Sequence, residues 1–199
     1  WLVVCKNIDT GEYHVFRPDT VETDRERAVA FLSGCSLVIG HNLLGYDYPI
    51  LQQLLRVDIP IERILDTLIL SKLIDYPRSG HSVEDYGVEF GLPKIEFNDF
   101  SKFTPEMETY CIRDVDITHR IYNKYRSYCN KPEHHRSIQL EHRFQLVCND
   151  LSSNGFAFNV KKANELLDKV REDLEVLDKD ILEAFQPRLK LIREVTPKE

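Results

Sequence analysis

The sequence predicts an α/β fold, a mixed sheet flanked by helices, followed by an α-helical segment. Three observations carry this. Residues 1–6 and 12–17 are short apolar-rich runs on either side of Asp9-Thr10-Gly11-Glu12, and turn residues between two strand-like runs read as a β-hairpin. The run Leu37-Val38-Ile39, within 36–40, reads as a buried strand. From residue 46 onward, apolar residues recur mainly at helical spacing.

The first helix spans 23–33, beginning near Glu22-Thr23-Asp24 and stopping at Ser33-Gly34, where glycine is a common terminator. Further helices are predicted at 46–56, 62–74, 82–90 and 105–127, the last opened by Pro105. Residues 75–81 form a loop, and 91–104 form a second one with Phe97, Phe100 and Phe103. These phenylalanines either stack on bases or seal the core beneath the loop. Asn130, Lys131 and Pro132 mark the best boundary, giving a domain over 1–127, a linker over 128–136 and a helical region over 137–199. Helix 137–153 ends at the turn Asn154-Gly155. In the following helix, 160–185, Ala163, Leu167, Val170, Leu174, Leu177 and Ile181 alternate spacings of four and three. That is a seam for one packing partner, with a free coiled coil as the competing reading.

Hydrophobic content of 42% and charged content of 30% fit a soluble globular chain. No apolar stretch reaches the ~18–20 residues that span a bilayer, and no secretory signal precedes the first strand. A net charge of −7 argues against a coat on duplex DNA, but not against carboxylate-based metal chemistry. The five cysteines form no Cys-x-x-Cys pair, so neither structural zinc nor a disulfide framework is expected, and a reducing cytoplasm is the natural location. His134 and His135 lack partners at ligand spacing and read as a solvated linker.

Tyr110 and Asp114 lie four residues apart in a helical segment, on one face, and Ile117 and Ile121 continue that stripe. A carboxylate on a buried stripe needs an arginine, a cap or a metal ion. Arg113 projects about 100° away from Asp114 on the helix, a poor direction for pairing. A phenol one turn away can orient a water. A second cluster, Gly40-His41-Asn42-Leu43-Leu44-Gly45-Tyr46-Asp47-Tyr48-Pro49, follows the strand at 36–40 and precedes an amphipathic helix. Asp47 falls where a helix N-cap belongs, with Pro49 in the first turn, so cap and metal ligand are both open for it. Asp66 caps or orients a neighbouring loop, and Asp116, off the Asp114 face, reads as solvated.

Taken together, His41-Asn42 with Tyr46-Asp47 and Tyr110 with Asp114 resemble the second and third motifs of the 3′→5′ proofreading exonuclease domain of phage-type family A DNA polymerases. This is the tyrosine subclass of the DnaQ-like exonucleases. Leu65-Asp66-Thr67-Leu68-Ile69-Leu70-Ser71 and His81-Ser82-Val83-Glu84-Asp85-Tyr86-Gly87 resemble the same family. So do Leu140-Glu141-His142-Arg143 and Ser153-Asn154-Gly155-Phe156-Ala157-Phe158-Asn159, which resemble the start of the polymerase region. The resemblance implies an RNase H-like fold and two-metal hydrolysis of the 3′-terminal phosphodiester, with two Mg²⁺ (or Mn²⁺) ions in the complete parent. It also implies DNA as partner, as a single-stranded 3′ end or primer-template, beside the polymerase domain of the same parent chain. A phage-encoded parent would act in the host cytoplasm.

In that reading Asp114 and Asp47 are metal ligands, and Tyr110 orients the attacking water. His41, Asn42, Tyr46 and His81 contact the substrate, and the loop 75–81 approaches it. The family's first motif is an Asp-x-Glu on the first strand, expected before Trp1; that strand is not in the chain, which holds two of the four carboxylates the resemblance implies. Asp9 and Glu12 read as turn residues. Trp1 is no translation start and the only methionine is Met107, so the natural protein is expected to extend upstream and to carry the motif there. This chain alone is expected to be inactive or very weak. The alternative is a degenerate exonuclease domain that serves as a scaffold or single-strand DNA-binding module.

Overall fold

The computed structural model describes residues 1–186 apart from Thr20 and the Glu22 side chain. Residues 187–199 of the expected 137–199 helical region therefore lie outside the described residues. Strands β1 (Val3–Lys6) and β2 (Tyr13–Phe16) pair antiparallel in the register Val3↔Phe16, as the hairpin pattern predicts. The turn is closed by Asn7, whose side chain accepts from the Asp9 and Thr10 N–H groups, and by Gly11 at φ 79, where the lack of a Cβ removes the steric cost.

Helix α1 (Glu22–Gly34) leads to strand β3 (Val38–Gly40). A π-helical turn, Leu43–Asp47, then runs into α2 (Tyr48–Leu55). The helix expected over 62–74 is corrected. Its first part is a 3-10 turn, Ile61–Arg63, and a buried strand, β4 (Ile64–Asp66), and only α3 (Thr67–Ile74) is helical. β4 pairs parallel with β3, Gly40 opposite Asp66. Alternation along β4 sends Ile64 into a core with Phe16, Leu44, Leu51 and Leu55, and Leu65 into a second core with Leu70, Tyr86, Ile117 and Ile121. Among the described residues the strands form two separate two-stranded sheets. The architecture is mixed α/β.

Helix α4 (Val83–Glu89) opens on a reciprocal capping box between Ser82 and Asp85. In α5 (Pro105–Cys129), Thr104 accepts from the Met107 N–H and Pro105 occupies the first turn. The linker expected over 128–136 is largely helix, because α5 extends to Cys129 and only two residues separate it from α6 (Pro132–Asn154). His134 and His135 are in that first turn of α6. His134 stacks on Tyr128 at 3.7 Å, and His135 Nε2 lies 2.9 Å from the Cys129 carbonyl. The compact unit runs Trp1–Asn154, so α6 belongs to it, and Gly155–Glu199 forms a second unit. Within the second unit α7 (Val160–Ala184) is capped by Asn159, and none of its residues is buried. Among the described residues no helix is long and apolar enough to cross a membrane.

Candidate active site

The parallel pair β3–β4 ends at Gly40 and Asp66, and the 41–47 loop with His41, Asn42, Tyr46 and Asp47 leaves from the end of β3. Asp66 is 1% exposed. Its Oδ1 accepts from the Asn42 N–H at 2.9 Å and the Leu68 N–H at 2.9 Å, and its Oδ2 from the Leu44 N–H at 3.0 Å. It thus caps α3 and pins the 41–47 loop at once. Asn42 takes φ 59, a left-handed conformation that asparagine tolerates, and its side-chain oxygen lies against Gly45, where a Cβ would meet it at 2.4 Å. His41 Nδ1 sits 2.9 Å from Thr67 Oγ1. Burial pushes the His41 imidazole down, against the opposing charge of Asp66.

Helix α6 completes this base. His142 is 2% exposed. Its Nδ1 is 2.8 Å from the Ile138 carbonyl, and its Nε2 accepts the Asp66 N–H at 2.7 Å, so the proton sits on Nδ1. Asn149 donates to the Leu44 carbonyl at 2.8 Å. His81 is tied to the second core: its Nδ1 lies 2.6 Å from Ser71 Oγ, which also contacts the buried Tyr86 hydroxyl. Tyr46 is 63% exposed.

Asp47 makes no side-chain cap hydrogen bond, so the helix-cap reading of it fails. Its backbone is already helical, at φ −68 and ψ −42. Among the described residues no cation pairs with it. Asp47 keeps exposed surface, yet protein closes around its other sides. That environment pushes its carboxyl up to about 6, with the Asp66 charge adding to the effect.

Asp114 pairs with Lys94 at 3.0 Å through Oδ2. Its Oδ1 is buried and has no hydrogen-bond partner. Lys94 also reaches Tyr110: its Nζ is 5.1 Å from the ring centroid. Burial works to lower the Lys94 ammonium, but the facing Tyr110 and Asp114 groups hold it above its ordinary value. Burial, and then the charges of Asp114, Asp47 and Glu108, push the Cys111 thiol up.

The loop phenylalanines do not seal the core. Phe97 and Phe100 pack edge to face at 5.0 Å, each ring centroid lies 5.8 Å from that of Tyr110, and Phe100 is 55% exposed. Phe103 lies beneath the Arg17 guanidinium at 4.1 Å. Asp116, expected to be solvated, is corrected: it pairs with Lys6 at 2.7 Å and accepts from the Tyr13 hydroxyl, fastening α5 to the hairpin. A crevice lined by Leu37, Ile64, Tyr122, Ile138, His142 and Arg143 holds none of the candidate catalytic residues.

Lys94, His142 and the role of Asp116 are not visible as local patterns, whereas Asp66 caps a helix and orients a loop as expected. Only the charge of Lys94, set in the apolar-flanked run Leu92-Pro93-Lys94-Ile95, offers a signal.

No protein-family model matches the chain. The chain is 25% identical over 235 aligned residues to a DNA-directed DNA polymerase of Enterobacteria phage T3, covering 88% of this chain. It is 24% identical over 242 aligned residues to a DNA-directed DNA polymerase of Escherichia phage T7, covering 92% of this chain. Over most of its length, then, it is related to phage DNA polymerases. The chain spans about a third of the length of these relatives.

Proposed function

We propose that this chain is the 3′→5′ exonuclease portion of a phage-type family A DNA polymerase, removing mismatched nucleotides from a single-stranded 3′ end. The observation that carries the reading is the Asp114 carboxylate, whose Oδ1 is buried and unpartnered one turn from the Tyr110 phenol on the same helix. A desolvated oxygen with no donor is a position a cation satisfies. Mg²⁺ commonly takes one or two carboxylates and completes its shell with water and substrate phosphate, and Asp114 with Asp47 fits that demand. Among the described residues no three His, Cys, Asp or Glu side chains come together at ligand spacing. The residues present therefore suit one loosely held ion rather than a fixed pair.

When bound there, a divalent cation supplies charge neutralisation at the phosphate and a lowered pKa for the attacking water. The chain's own residues do the remaining work. Tyr110 orients the water with its hydroxyl. Phe97 and the exposed Phe100, leaning on Tyr110, offer a face on which a terminal base stacks without regard to sequence. His41, Asn42, Tyr46 and His81 contact the substrate strand. With two of the four carboxylates of the resembled motif set, the 199-residue chain alone is inactive or very weak. The polymerase domain of the parent supplies the primer-template.

The second reading is a degenerate exonuclease serving as a scaffold or single-strand-binding module. The Lys94–Asp114 ion pair favours it, because a neutralised carboxylate has no need of a metal. Trimming of a labelled single-stranded oligonucleotide by the natural gene product that carries this chain separates the two. Mg²⁺-dependent stepwise shortening that Asp114→Ala abolishes supports the exonuclease. No trimming, or trimming indifferent to Asp114→Ala, assigns the scaffold role.

A further inference from the structure

We propose that Lys94 is an internal counter-cation of Asp114 that a divalent ion must displace before it can bind. This rests on the reading of Asp114 as a metal ligand and adds a residue that controls access to it. Lys94 Nζ lies 3.0 Å from Asp114 Oδ2, and each side chain keeps only about a quarter of its surface exposed, 28% and 27%. The same ammonium lies 5.1 Å from the centroid of the Tyr110 ring. One side chain therefore sits against both groups that the proposed chemistry uses.

No neighbouring cation shares that task. The Arg113 guanidinium donates to the Pro93 carbonyl at 3.1 Å, and Arg120 donates to the Phe90 carbonyl at 3.1 Å. The Arg113 contact fixes the residue next to Lys94. The Leu92 N–H donates to the Gly87 carbonyl at 2.8 Å, and a Cβ on Gly87 would meet the Leu92 carbonyl oxygen at 2.9 Å. The backbone root of Lys94 is thus clamped from two sides, and the part free to move is its flexible stem. An ammonium and a divalent ion cannot share one carboxylate at contact distance without strong repulsion at reduced dielectric. Metal entry therefore requires the stem to swing out, which takes the ammonium off the Tyr110 ring at the same moment. In the absence of metal the lysine stays paired with Asp114.

The test titrates the 199-residue chain with Mn²⁺, reading bound ion by paramagnetic resonance, in wild type, Lys94→Met, Lys94→Arg and Asp114→Asn. Lys94→Met keeps the apolar stem without the charge and should bind Mn²⁺ about tenfold more tightly. Lys94→Arg should remain weak. In parallel, acylation of the Lys94 amine in wild type should accelerate on adding Mn²⁺, and in Asp114→Asn it should be fast without metal. This second measurement holds even if Lys94→Met does not fold. Wild-type binding that Lys94→Met leaves unchanged or weakens, with Lys94 acylation indifferent to Mn²⁺, overturns the displacement while leaving the Asp114 site intact. Binding that Asp114→Asn does not diminish, or no binding in any form, overturns the metal-ligand reading and the displacement with it.

Discussion

Asp66 supports the loop that carries Asp47 by accepting three backbone N–H groups, from Asn42, Leu44 and Leu68. Asp66→Ala strands all three donors. At about 1 kcal/mol or more for each lost bond, the cost should reach about 3 kcal/mol in urea unfolding; a loss under about 1 kcal/mol would mean water replaces the carboxylate. Asp47 has the opposite balance. Its folded carboxyl titrates near 6 against an ordinary value of 3.8, so the folded state holds the extra proton and stability falls as pH rises through that window. In metal-free buffer Asp47→Asn should remove the fall and melt higher than wild type at neutral pH, by a modest amount because solvent screens its open side. Equal melting temperatures above pH 6 would contradict this. If Tyr110 orients the water, Tyr110→Phe should slow trimming by the parent on the order of 10-fold to 100-fold with the fold unchanged; an unaltered rate would remove Tyr110 from the chemistry. At this scale the helix-face pair Tyr110 and Asp114 is legible, because both lie on one segment with one periodicity. Lys94 is not, because its partner is twenty residues away across an irregular loop.

Helix α6 acts on the site from outside it, through His142. The imidazole accepts the Asp66 N–H only when Nε2 is unprotonated. Burial lowers the His142 pKa from 6.5, so the unfolded chain takes up the proton first and stability is lost as pH falls below 6.5. His41 and His119, also lowered by burial, act with the same sign. The discriminating measurement is therefore the difference between wild type and His142→Leu. The wild type should lose more melting temperature between pH 7 and pH 5 than the variant does, and parallel slopes would refute the role. The hairpin, α1, α2, α4, α5 and α7 follow from turn residues, caps and apolar spacing to within a few residues. β4 does not. Ile64 and Leu65 are the only apolar residues between Arg63 and Asp66, and so short a run buried on both sides looks alike as helix or strand. The parallel partner β3, more than twenty residues upstream, decides it. The expected linker failed for a related reason: Pro132 suits the first turn of a helix as well as it suits a break.

Across the molecule, the contacts that matter most join distant parts of the chain. Lys6 meets Asp116 across 110 positions, Asn149 meets Leu44 across 105, and His142 meets Asp66 across 76. Periodicity carries no information about such pairs, which is why the elements could be read in order while their assembly into two small sheets and one compact unit through Asn154 could not. The His142–Asp66 bond has a kinetic consequence. A contact that closes so long a loop costs chain entropy before it returns any stability, so it belongs to the late side of the folding barrier. The loop bearing Asp47 would then be the last part of the compact unit to set during refolding and the first to loosen when it opens. In a chevron plot His142→Leu should raise the unfolding rate and leave the refolding rate nearly unchanged. A slowed refolding limb would instead put α6 in the nucleus, assembled before the sheet it supports.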